Sequence, residues 1–188
     1  MSCTKTSLGF YPEGKQFTHP WDFQVHDEFL SDTLVDYLLS LNLTSPVKLQ
    51  SEDMKLSKEL IEGIRLQAEE KLGITEKLWF SIGLHQAPPH HHYKLHLDHK
   101  SKKHSCIVYL GDNGVGTILA NPDNEYEVLW RNNRALYFQR KEKVSWHRFK
   151  SGYKPRLTLI MYWMTANKNL RTRTLQDYMT LPPYKNSS

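Results

Sequence analysis

Midway along the chain the hydrophobic pattern changes period, and that change constrains the fold more than any other feature. Before it, Leu34, Val35, Leu38 and Leu39, and then Leu60, Ile61, Ile64, Ala68 and Leu72, recur at helical spacing. Ser31 or Asp32 caps the first run; the second begins near Lys58 and is stopped by Gly73. From Lys77 onward the apolar runs are short and strand-like: 78–84, the run through His96, 104–110, 116–121, 125–130, 134–138 and 156–164. Turn residues separate them at Pro88-Pro89, Asp112-Asn113-Gly114 and Asn121-Pro122-Asp123-Asn124. Phe23-Gln24-Val25 adds a short strand ahead of the helices. Helices first and many short strands afterwards predict an α+β domain. The expected architecture is a double-stranded β-helix (jelly-roll) core backed by two N-terminal helices.

The expected organisation is a single domain over 1–188. Residues 1–76 form an N-terminal arm and the helices, 77–166 the jelly-roll core, and 167–188 a mostly polar tail whose one turn signal is Pro182-Pro183. Residues 1–21 read as an extended arm, and Thr44-Ser45-Pro46 as a turn between the helices. With 188 residues the chain is long enough to bury a core unaided. A hydrophobic content of 39% and a mean hydropathy of −0.62 are those of a soluble globular protein. Cys3 and Cys106 are too few for a disulfide framework and point to a reducing compartment. Neither an apolar leader nor a membrane-spanning run is present, so the expectation is a cytoplasmic protein with no membrane partner. The net charge of +5 places lysines and arginines on both sides of the segments that carry the chemistry, at Lys94, Lys100, Lys102 and Lys103 and from Arg140 to Lys154. Such a field can steer an anion, although solvated strand edges protected by lysine explain any single one of them equally well.

Tyr93-Lys94-Leu95-His96-Leu97-Asp98 is the stretch on which function turns. Alternate strand residues share a face, so His96 and Asp98 can aim an imidazole and a carboxylate at one point, with Leu95 and Leu97 turned toward a core. A second imidazole, His147, follows 49 residues after Asp98 (147 − 98). Two histidines and one carboxylate with other positions open are the facial ligand set of non-haem Fe(II) oxygenases. Arg156, nine residues further on (156 − 147), is the only charged side chain in Pro155-Arg156-Leu157-Thr158-Leu159-Ile160-Met161-Tyr162-Trp163. A guanidinium entering an apolar strand requires an anion, and its planar fork suits a carboxylate. Thr158 shares its face and can add a hydroxyl.

This pattern of His96-Leu97-Asp98, His147 and downstream Arg156 resembles the Fe(II)/2-oxoglutarate-dependent oxygenases, and within them the prolyl hydroxylase branch. Tyr93 stands three residues before the first histidine, as in that branch, where it would belong to the substrate side. Strict alternation nevertheless puts Tyr93 on the face opposite His96. Tyr109, late in Ser105-Cys106-Ile107-Val108-Tyr109-Leu110, matches the tyrosine that hydrogen-bonds a 2-oxoglutarate carboxylate, and Gly114-Val115-Gly116-Thr117-Ile118-Leu119 matches a glycine-rich turn into the next strand. The resemblance covers roughly residues 77–165. It implies Fe(II) held by His96, Asp98 and His147, with 2-oxoglutarate chelating the metal and its far carboxylate against Arg156, Tyr109 and Thr158. It further implies O2 as second cosubstrate, ascorbate as accompanying reductant, and hydroxylation of a prolyl residue in a protein or peptide.

Rival readings exist. A free amino acid or other small metabolite is the alternative substrate. A nucleic-acid demethylase would carry a second arginine six residues after the first, where this chain has Tyr162, which speaks against nucleic acid. A non-catalytic jelly-roll binding module would not need the triad and the clamp. The His90-His91-His92 triplet reads as an exposed loop, because consecutive residues on an extended chain point apart. The blander partners for Arg156 are Asp98 or Glu142.

Overall fold

The computed structural model describes residues 4–8, 15–41, 43, 47–50, 53–112 and 114–165. Part of the N-terminal arm with Cys3, the Thr44-Ser45-Pro46 turn, Asn113 and the C-terminal tail with Pro182-Pro183 lie outside these residues.

Both expected helices form. Helix α1 (Asp32–Ser40) is N-capped by Ser31, whose side chain accepts from the Leu34 amide. Helix α2 (Lys58–Leu72) is capped by Ser57 and ends at Gly73 in the left-handed region (φ 69), which glycine adopts without penalty. The apolar stripes are narrower than the periodicity suggested. Leu34, Val35 and Leu38 are buried but Leu39 is exposed; Ile61, Ile64, Ala68 and Leu72 are buried but Leu60 is exposed. The reason is that each helix lies on a sheet with one face only, and the flanking leucines fall at the edge of that contact.

The strands are β1 (Thr4–Leu8), β2 (Lys15–Phe17), β3 (Phe23–His26), β4 (Val47–Gln50), β5 (Trp79–Ala87), β6 (His92–His96), β7 (Lys102–Leu110), β8 (Thr117–Ala120), β9 (Asn124–Val128), β10 (Ala135–Gln139), β11 (Trp146–Lys150) and β12 (Arg156–Met164). They make a seven-stranded sheet, β2-β3-β10-β7-β12-β5-β4, and a five-stranded sheet, β1-β9-β8-β11-β6. Every pairing is antiparallel except β1 with β9. Sequence periodicity missed β1, β2, β4 and β11. The first three add to sheets through backbone pairing rather than through an apolar alternation of their own.

Two cores result, one on each side of the larger sheet. Leu159, Met161 and Trp163 of β12, with Cys106, Val108 and Leu110 of β7, share a core with Leu38 of α1, Ile61 and Ile64 of α2, and Phe29 ahead of α1. The opposite face joins Ile107, Tyr109, Leu136 and Phe138 to Leu119, Tyr126 and Val128 of the smaller sheet. This second space, between the sheets, is where the proposed site residues converge. One close approach shapes it: a Cβ on Gly116 would lie 1.7 Å from the Val128 carbonyl oxygen, so only glycine lets the chain enter β8 at Thr117.

Candidate metal and anion site

His96 ends β6 and His147 lies in β11, directly opposite it in the pairing register. Asp98 is two residues past the end of β6, not within a strand as alternation implied. The ligand atoms of His96, Asp98 and His147 all lie within 4.8 Å of one another, the only such cluster of metal-ligating side chains among the described residues. The Nδ1–H of His96 donates to the Lys94 carbonyl (3.0 Å), and that of His147 to the Ser145 carbonyl (3.0 Å). A carbonyl can only accept, so both rings are held in the tautomer that leaves Nε2 as a lone-pair donor. Burial pushes the His147 pKa down to about 4, against the pull of the Asp98 carboxylate, so the ring is a neutral ligand at physiological pH. The donor set, the fixed tautomers and the spacing fit a divalent metal of the Fe(II) type.

Asp98 is itself held on both oxygens. Ser105 Oγ–H donates to Oδ2 (2.6 Å), and Lys102 Nζ donates to Oδ1 (2.9 Å). Burial would raise the carboxyl pKa, but Lys102 and the Ser105 hydroxyl outweigh it and hold it at about 2. Lys102 reaches this position because of a β-bulge. Along β12 and β7, Trp163 pairs with His104 but Met164 pairs with Lys102, so Lys103 is the extra residue. The bulge turns Lys102 from the helix side to the space between the sheets, where its ammonium also lies 3.6 Å from the centre of the Tyr162 ring. The sequence reading had placed Lys102 in a surface basic cluster.

A second irregularity corrects the expectation for Tyr93. Between β11 and β6, His147 pairs with His96 while Phe149 pairs with Tyr93, an extra residue on β6. The alternation is thereby broken, and Tyr93 falls on the same side as His96, with ring centres 4.7 Å apart. Tyr93 also stacks on Phe149 (5.3 Å, 0°). Leu95 does not face a core: it is 45% exposed on the outer side of the smaller sheet, where β6 is an edge strand and no described helix covers it.

Arg156 is buried, and it forms no ion pair among the described residues; neither Asp98 nor Glu142 reaches it. One guanidinium nitrogen donates to Thr117 Oγ1 (3.0 Å), and Nε has no partner. The group lies over Phe149 (4.2 Å to the ring centre) and near Tyr109 and Trp130 (5.5 Å each). Burial lowers its pKa to about 10, with the Tyr109 hydroxyl opposing the shift. The Tyr109 hydroxyl accepts from the Thr117 amide (3.1 Å), and its ring stacks on Trp130 (4.7 Å). Thr158 shares the Arg156 face and is buried, but its hydroxyl donates to the His85 carbonyl at 3.5 Å rather than toward the guanidinium. Thr117 is the hydroxyl that Arg156 actually uses. The sequence reading noted Thr117 only as part of a glycine-rich turn.

His85 was also missed. It pairs with Thr158 across β5 and β12, and its ring makes no hydrogen bond among the described residues. Burial, reinforced by Lys48, Lys102 and Arg156, pushes its pKa down to about 3. The histidine triplet stays outside the cluster. His90 sits against Tyr153, which is 90% exposed, and His91 packs near Phe149. No helix of the described residues is long and apolar enough to cross a membrane.

No protein-family model matches the chain, and no curated protein matches it in sequence. Solved structures do match in fold. A viral collagen prolyl hydroxylase from Paramecium Bursaria Chlorella virus-1, solved as a 2OG complex, superposes with a TM-score of 0.56 at 13% identity, covering 77% of this chain and 96% of that one. A Pseudomonas putida prolyl-4-hydroxylase gives 0.57 at 17% identity, covering 77% and 93%. A 2OG-Fe(II) oxygenase family oxidoreductase from Burkholderia pseudomallei gives 0.60 at 9% identity, covering 77% and 85%. The chain therefore has the fold of 2OG-Fe(II) oxygenases, prolyl hydroxylases among them.

Proposed function

We propose that this protein is an Fe(II)- and 2-oxoglutarate-dependent dioxygenase that hydroxylates a C–H bond of a prolyl residue in a protein or peptide. The observation that carries the reading is the pairing of two features between the same two sheets. A cluster of two imidazoles and an ionised carboxylate stands between the same sheets as a buried guanidinium that has no anion of its own among the described residues. A buried, uncompensated arginine is costly and persists where a ligand supplies the counter-charge. A dicarboxylate that chelates a metal at one end and meets Arg156 at the other satisfies both features.

His96, Asp98 and His147 would hold the iron, which when loaded supplies the oxidation of the C–H bond with O2 and 2-oxoglutarate. The chain's own contribution is geometric. The Lys94 and Ser145 carbonyls fix the two imidazoles, and Ser105 and Lys102 fix the carboxylate. Arg156, propped by Thr117 and walled by Phe149, Tyr109 and Trp130, would take the far carboxylate in a water-poor pocket. Tyr93 and Phe149 form an aromatic wall beside His96 against which a prolyl ring can pack. The prolyl hydroxylases among the fold relatives support the substrate class. A binding module without catalysis would not need the His96/Asp98/His147 triad and the Arg156 clamp together. The test is succinate release that requires iron, 2-oxoglutarate and O2 together, with ascorbate present, and a mass gain of one oxygen on a proline in a peptide panel. Gain on a non-prolyl residue would keep the enzyme class and displace the substrate.

A further inference from the structure

Formal charge in the space between the sheets does not balance once that site is filled, and the imbalance names a substrate property. Asp98 is the only buried carboxylate among the described residues. Two cations share the space with its carboxylate: Arg156, which has no ion pair among the described residues, and Lys102, which the bulge in β7 swings onto Asp98; half-buried Arg140 donates to the Asp98 backbone carbonyl and adds positive charge beyond theirs. His85 and His147 are neutral. Arg134, the other buried cation, belongs elsewhere: it is paired with Asp27. A divalent metal adds two positive charges and 2-oxoglutarate two negative ones. With one negative charge from Asp98 and one positive charge each from Lys102 and Arg156, one positive charge is left over.

The surplus is localised. The metal would take the Asp98 charge, and Asp98 already accepts from Ser105 on one oxygen and Lys102 on the other. Lys102 then keeps its hydrogen bond but loses its neutralising partner. Its other neighbour, Tyr162, offers its ring face at 3.6 Å and a phenol that burial keeps neutral, so it supplies no counter-charge. The Lys102 side chain is 22% exposed, so its ammonium is not sealed off from what enters the site. A partly desolvated ammonium beside a reaction centre recognises an anion.

Resting on the dioxygenase reading above, we propose that Lys102 is a specificity-determining residue that binds a carboxylate of the substrate, close to the C–H bond that is hydroxylated. Two sources share that chemistry. One is the carboxylate of proline itself, free or at a chain terminus; the other is an acidic side chain next to an internal proline.

The test is a binding measurement without turnover. The full chain is loaded with Mn(II) and 2-oxoglutarate in the absence of O2, and titrated calorimetrically with two matched pairs. L-Proline is compared with L-prolinamide, and a blocked peptide carrying Pro-Glu is compared with its Pro-Gln counterpart. The expected result is that one acid binds about tenfold tighter than its amide, at about 1.4 kcal/mol per decade. The pair that discriminates identifies the source. In Lys102→Met and Lys102→Gln the acid-to-amide ratio should fall to near one, a change that loss of packing alone does not produce. Equal affinities for acid and amide in both pairs, including no binding by either, overturn the proposal, and so does an acid preference that survives in the variants. Failure of the dioxygenase reading looks different: 2-oxoglutarate would then fail to bind in a metal-dependent manner in the loading step.

Discussion

Along β12 the side chains alternate between two environments with different chemistry. Leu159, Met161 and Trp163 point to the helices and pack in the apolar core there, with the Trp163 indole N–H donating to Glu69 (2.9 Å) and His104 as the cross-strand neighbour of Trp163. Arg156, Thr158 and Tyr162 point into the space between the sheets, where Arg156 lacks an ion pair and Tyr162 lies under Lys102. One strand thus separates a side optimised for burial from a side that carries unbalanced polar groups. Substitutions on the helix side should therefore change stability and leave ligand affinity alone, whereas the effects on ligand affinity should come from the other side.

The largest effect belongs to Asp98. Asp98→Asn keeps the shape and should reduce metal affinity by more than about a hundredfold, since it removes the only anionic ligand. Asp98 is buried under Lys102, so Asp98→Ala strands an ammonium and should cost roughly 3–5 kcal/mol. Metal titration of the asparagine variant and denaturant melts of both separate the two effects. Full metal binding by Asp98→Asn would remove the ligand set.

On the opposite face, Trp163→Ala should cost about 3–5 kcal/mol in chemical denaturation, as large aromatic deletions in packed cores do. Metal and 2-oxoglutarate affinities of the folded protein should stay within about twofold of the parent. A parallel loss of ligand affinity would mean that the sheet does not insulate its two sides.

Arg156→Lys keeps a charge but loses the fork. With charge-assisted hydrogen bonds worth roughly 1.5–3 kcal/mol, 2-oxoglutarate should bind about 10- to 150-fold more weakly, with metal affinity unchanged. Arg156→Met should be worse for the cosubstrate yet, without ligand, at least as stable as the parent, because it deletes an uncompensated buried charge. An unchanged 2-oxoglutarate titration in both variants would reduce Arg156 to a structural residue.

His85 gives a pH signature. Its folded pKa, about 3, is below the ordinary 6.5, so the unfolded chain takes up the proton first. Its contribution is intact above pH 6.5 and is lost as pH falls toward about 3, at up to roughly 1.4 kcal/mol per pH unit. His147 acts in the same direction between pH 6.5 and about 4. The variant His85→Gln should therefore show a shallower acid loss of stability than the parent. Identical slopes in urea melts across that range would place the His85 ring in water rather than in the cavity.

What the sequence revealed, and what it hid, follows the same division. Both helices, the cap at Ser31, the stop at Gly73 and most core strands were legible because burial imposes a period on consecutive residues and caps restrict residue type, whereas the Ser57 cap was not. His96, Asp98, His147 and Arg156 were legible because the chemistry restricts residue type, and the structure brings the three metal-ligand candidates together with Arg156 between the same two sheets. Lys102 and Tyr93 were misplaced because a bulge shifts the phase by one residue, and no residue at Lys94-Leu95 or Lys102-Lys103 announces it. Thr117 and His85 were hidden because their roles depend on which strand lies across from them, β12 in the case of His85, and pairing is not written in either strand alone.

The smallest expected effect sharpens the comparison by being nearly nil. His90, His91 and His92 lie within reach of the same aromatic wall in sequence, and a histidine triplet readily binds transition metals when flexible. In the fold, however, His90 takes a positive φ of 56 and turns its ring onto Tyr153, while His91 packs beside Tyr93 and Phe149, and His92 is exposed at the start of β6. The three rings diverge, and none of them joins the metal cluster of the described residues. Replacing all three by alanine should therefore leave stoichiometric Fe(II) binding within a few-fold of the parent, while weak binding of a second equivalent disappears. Because His91 also touches Phe149, which floors Arg156, the same variant should shift 2-oxoglutarate affinity by no more than about threefold, the scale of a lost van der Waals contact. Titrating Fe(II) and 2-oxoglutarate separately resolves the two. Loss of the first, tight equivalent of iron would transfer the metal site to the triplet and leave His147 a buried structural ring.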